Sequence, residues 1–93
     1  MNLNEAQINR AEDEIRALAS TMLSRVSNRR DHSSYGVTKA SIRESYSMMT
    51  GAIALYGRLT DQIGSPLVWQ MVTFKVPGTV TRVNAATTAF KAL

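Results

Sequence analysis

Residues 65–83 read SPLVWQMVTFKVPGTVTRV, and two architectures follow from two readings of them. Ser65-Pro66 is a good helix start, because proline has no N–H to lose at the first helical position and its φ is already set there. Val68, Trp69, Val72, Thr73, Phe74 and Val76 are strand-favouring types. Wound as a helix, the apolar residues point nearly all round; drawn as a strand, both faces are largely apolar. Either way the segment is buried. Val76-Pro77-Gly78-Thr79 reads as a turn joining TFKV to TVTRV, which would make the chain α+β with a C-terminal β-hairpin over 66–83. Pro-Gly favours a type II turn, however, whereas tight hairpins use the mirror-image turns whose twist matches the strands. That mismatch favours a short helix and an all-α fold, with the hairpin as the alternative.

The flanking sequence is helical. From Thr79 to Leu93, Val80, Val83, Thr87 and Phe90 recur at helical spacing in an alanine-rich stretch. Upstream, a helix begins at Thr38 or Ser41 and runs to Gly64, where Gly-Ser-Pro supplies a C-terminal glycine and then a proline. A first helix spans about Asn4 to Ser27. Ile8, Ala11, Ile15, Leu18, Met22 and Val26 form its stripe, and Asn4 with Gln7 resembles a capping box. The expected fold is one helical domain over 1–93: a long antiparallel helical hairpin closed by two short C-terminal helices.

The second helix is greasier than one neighbour can cover. Ile42, Met49, Ile53, Tyr56 and Ile63 form a central row, and Met48, Ala52, Leu55 and Leu59 widen it to about half the cylinder. The surplus must be covered by the C-terminal third or by another molecule. Gly51 and Ala54 fall on the opposite face. A glycine inside a helix costs roughly 1 kcal/mol relative to alanine, so Gly51 is either a tolerated weak residue or a point of close approach.

Chemistry is sparse. The chain has no cysteine, so disulfides, thiolate catalysis and cysteine-ligated metal are excluded. His32 is the single imidazole and lies in the most polar stretch; without further His or Cys ligands no metal site is expected. Glu12, Asp13 and Glu14 are consecutive on a helix and point in different directions. No glycine-rich phosphate loop occurs. The expectation is no catalytic residue, no cofactor and no enzyme activity. The N-terminal segment lacks the apolar stretch of a secretory leader. The longest uncharged runs, 45–57 and 62–74, fall short of the roughly 18 to 20 residues that span a bilayer. A cytoplasmic protein without membrane contact is the default.

Charge is the sharpest feature. The net charge is +4, and the excess gathers around residues 27–36, SNRRDHSSYG. Arg25, Arg29, Arg30, Lys39 and Arg43 face Asp31 alone there, and in an antiparallel pair they meet at one tip beside Tyr35. Cations at the end of the first helix answer its dipole, but Lys39 and Arg43 at the start of the second oppose theirs. These six residues, Tyr35 included, are the candidate partner-binding set, with Met48, Leu55, Leu59 and Trp69 as apolar contacts. The implied function is stoichiometric binding to a larger protein or nucleoprotein with an acidic surface. Sequence-independent nucleic-acid binding is the runner-up, and self-assembly into a homo-oligomer is a third possibility.

Overall fold

Asn4 starts the first helix by the reciprocal capping that its spacing to Gln7 predicts. The Gln7 N–H donates to Asn4 Oδ1 at 2.9 Å, and the Asn4 N–H donates to Gln7 Oε1 at 3.0 Å. In the computed structural model, which describes residues 4–31, 38–59 and 74–93, helix α1 runs Glu5–Asp31. It continues past the expected stop at Ser27, so Arg25 and Arg29 share a face. Its 27 residues are about 40 Å long, which sets the long dimension of the molecule at 45 Å.

Helix α2, Lys39–Leu59, begins at the earlier of its two candidate starts. Thr38 is the cap: Ser41 N–H donates to Thr38 Oγ1 at 3.1 Å, and Thr38 N–H donates to Ser41 Oγ at 3.2 Å. Ser41 thus plays the part that glutamate takes in the usual capping box. The two helices lie side by side in opposite senses. Arg25, near the end of α1, reaches Ser41 and Ser45, whereas Ala11 sits beside Leu55 and Tyr56.

Helix α3, Pro77–Lys91, overturns the β-hairpin alternative. Pro77 opens this helix and the TVTRV arm is wound into it; no strand occurs among the described residues. Val76, extended as residues before proline usually are, is the N-cap and offers no side-chain cap. Thr79, Val83 and Ala86 turn inward, and Val80 and Phe90 pack at the margin. This is one of the two short C-terminal helices expected; the start of the other, at Ser65-Pro66, lies outside the described residues, as does the predicted helix end near Gly64.

α3 runs parallel to α1. Glu12 meets Val76, Ser20 meets Arg82, and Val26 and Arg29 share a groove with Leu93. Packing of α3 is more extensive on α1 than on the wide face of α2. Aromatic pairs join the C-terminal segment to α2 at both ends: Phe74, just before α3, meets Tyr56 with centroids 5.7 Å apart, and Phe90 in the last turns of α3 stacks on Tyr46 with centroids 4.0 Å apart. Between them the core gathers Ile15, Ala19, Met22, Ile42, Met49, Ile53 and Val83.

Glu12 is the exception among these apolar residues. It is only 2% exposed, and one carboxylate oxygen accepts the Val76 N–H at 2.9 Å. Burying a carboxylate is costly unless it is hydrogen-bonded, and here the acceptor lies at the positive end of a helix dipole. The buried stripe of α1 is therefore centred on Glu12, Ile15, Ala19 and Met22, with Ala11 and Leu18 at its edge. Burial and the Glu12 charge, in that order, raise the pKa of Tyr56 above its ordinary 10.0. The neutral phenol is thus favoured in the fold.

Two outcomes follow. Glu12→Ala should destabilise by about 1–3 kcal/mol through loss of a buried acceptor, and Glu12→Gln by less, since an amide oxygen still accepts from Val76; urea unfolding measures both. Because the Tyr56 pKa is raised, its contribution is complete below the unfolded-state value and is lost as pH climbs through the folded one. Melting temperatures above pH 10 should fall less steeply in Tyr56→Phe than in the parent chain.

Candidate binding surfaces

The cationic end is built by Arg25. Its Nη1 donates to the Ser41 carbonyl at 3.0 Å and to Ser45 Oγ, and Ser45 Oγ donates in turn to the Ser41 carbonyl at 3.1 Å. This half-buried network pins the last turns of α1 on the first turns of α2. The guanidinium is a structural tie as well as a charge.

Arg29 is partly buried, lining a groove of about 390 Å³ with Val26, Ala89, Ala92 and Leu93. Lys39 and Arg43 are exposed. Arg30 is helical in its backbone, but its side chain lies outside the description, and so does Tyr35 altogether. The pole thus collects Arg25, Arg29, Arg30, Lys39 and Arg43 by their places on the two helices, with Arg25 and Arg29 partly buried and Lys39 and Arg43 exposed.

One cation escaped the sequence reading. Lys91, exposed in the last turn of α3, stands at the same pole because α3 is parallel to α1. Finding it required the direction of α3, which local sequence does not give. Two helix C-termini and one N-terminus meet here. The dipoles of α1 and α3 therefore favour cations, while Lys39 and Arg43 still oppose that of their own helix, whose first turn holds no acid.

The second surface is an apolar groove of about 330 Å³ between α1 and α2, lined by Ala11, Leu18, Met48, Gly51, Ala52 and Leu55, with Glu14 and Tyr56 alongside. Met48 is 53% and Leu55 51% exposed. The described residues thus leave the surplus inferred for α2 uncovered along this edge. Gly51 borders the groove and does not lie apart from the apolar residues, as a strict division of the helix into two faces had placed it. A Cβ built on Gly51 meets no atom within 4 Å, so nothing in the described fold packs close enough to need a glycine. Leu59 closes α2 with its side chain outside the description, and Trp69 lies outside it entirely.

Among the described residues, no three His, Cys, Asp or Glu side chains gather as a metal site, and no helix is long and apolar enough to cross a membrane. Comparison of the chain with protein-family models, with curated proteins and with solved structures gives no match.

Gly51→Ala should stabilise the protein by up to about 1 kcal/mol, because the methyl finds open space. Thermal melting measures this; a lower melting temperature would show that the helix backbone at Gly51 is not as free as the geometry indicates.

Proposed function

We propose that the chain is a small non-enzymatic binding module that associates stoichiometrically with a larger protein or nucleoprotein. The α1/α2 groove receives an amphipathic helix of that partner, and the basic pole steers the encounter toward an acidic surface. The supporting observation is the pair Met48 and Leu55, each half exposed, two helical turns apart and separated by the small residues Gly51 and Ala52.

A partner helix laid in such a groove approaches the backbone over the small residues and presses its own apolar row between the two large ones. The contact withdraws Met48 and Leu55 from water, and methionine adapts to the shape it meets. Cations outside the groove raise the association rate more than the affinity. A cytoplasmic site of action suits this reading, in which the chain has no catalytic residue, no cofactor and no metal.

Leu55→Asp places a charge in the groove and should abolish capture of the partner from an extract of the native host, with little change in melting temperature. Reversing Arg43 to glutamate should slow association and flatten its salt dependence, leaving dissociation nearly unchanged. Equal capture by the parent chain and Leu55→Asp would remove the groove from the account. Should light scattering show a dimer at micromolar concentration that Leu55→Asp dissolves, the occupant is a second copy of the chain.

A further inference from the structure

The side of α2 turned away from the groove carries a different chemistry. Lys39, Arg43 and Tyr46 follow at four- and three-residue steps and so share one face. Tyr46 is also where α2 meets the end of α3. Its ring stacks on Phe90, with centroids 4.0 Å apart and planes 2° from parallel, and Lys91 follows Phe90 in sequence. Both rings are only partly buried, whereas Lys39, Arg43 and Lys91 are exposed.

Among the described side chains of α2 and α3, no carboxylate shares this face with the cations. α3 has no acidic residue between Pro77 and Lys91. The single acidic residue of α2, Glu44, is two residues before Tyr46 and therefore on the other side of the helix. Stability accounts for the ring pair, which joins α2 to α3. It does not account for Lys39 and Arg43, which lie near the positive end of the α2 dipole.

We propose that this face binds single-stranded nucleic acid without sequence preference. Lys39, Arg43 and Lys91 contact successive phosphates, and an unpaired base stacks on the part of the Tyr46–Phe90 pair left in water. A cationic track beside aromatic rings is the combination that single strands require, since every base offers a π-face. A duplex keeps its bases stacked on one another and can use the cations alone. Polyglutamate meets the cations but brings no aromatic ring to stack on the pair. This site is separate from the α1/α2 groove, and together the two surfaces suit a nucleoprotein.

The test is fluorescence anisotropy of a labelled oligodeoxythymidylate about 12 nucleotides long, titrated with the full chain at several salt concentrations. Three phosphate contacts predict a slope of log K against log salt of about −2. Arg43→Glu and Lys91→Glu should each weaken binding about tenfold and flatten that slope. Tyr46→Leu should weaken it about tenfold with the slope unchanged, because stacking releases no counterion. As a readout on the unaltered protein, NMR ring resonances of Tyr46 and Phe90 should shift with the oligonucleotide and not with polyglutamate. Absence of binding at low salt would overturn the proposal. So would unmoved ring resonances, or competition by polyglutamate as effective as that by unlabelled oligonucleotide, either of which would make the face a general acidic-polymer contact.

Discussion

The fold turns on one hydrogen bond, from the Val76 N–H to the buried carboxylate of Glu12. Val76 cannot cap α3 itself, and no acidic side chain lies in that helix's first turn. A helix N-terminus without acceptors leaves backbone N–H groups unsatisfied, and α1 supplies the missing anion from within its own apolar stripe. In return the carboxylate gains a donor and a positive dipole, without which its burial would oppose folding. Each of the two groups is a liability that the other relieves.

Direction follows from that contact. With the start of α3 fixed beside Glu12, in the first half of α1, the helix proceeds alongside α1 past Ser20 and ends near Arg29. Phe90 consequently reaches Tyr46 near the start of α2, and Lys91 joins the cations already gathered there. A helix laid the other way would have delivered Lys91 to the end that holds Glu5, Asp13 and Glu14, where it would be neutralised. Local capping chemistry near one end of the molecule thereby fixes the electrostatics of the other.

Much of this was legible in the residues. The cap at Asn4 is local chemistry, readable at three-residue spacing, and it forms; for α2 the sequence leaves Thr38 and Ser41 open as starts, and Thr38 is the cap, with Ser41 as its partner. Periodicity placed Ile15, Met22, Ile42, Met49, Ile53 and Val83 inward, and they are buried. Glu12 was not legible, because hydropathy assigns a carboxylate to water and its partner lies 64 residues away. Pro77 is ambiguous for a related reason, since Pro-Gly fits both a turn and a first helical position; the turn-type mismatch favours the helix, and Pro77 opens one. At the cationic end the sequence supplied the charges but not their division. It gave no sign that Arg25 would be drawn onto Ser41 and Ser45, or that Tyr46 would meet Phe90.

The α1/α2 groove combines two features that weaken a free monomer. Leaving Leu55 and Met48 half in water forfeits part of the stabilisation that full burial would bring, of the order of 1 kcal/mol apiece. A glycine in the middle of α2 forfeits about as much again relative to alanine, although a methyl group would fit there. Scattered over the surface, such features would need no explanation, since exposed apolar residues are common. Here they line the same groove within eight residues of one helix. Selection for the stability of the isolated chain would act against all three positions, whereas seating another helix requires two large side chains flanking a low floor. Their coincidence is what favours an occupant for the groove.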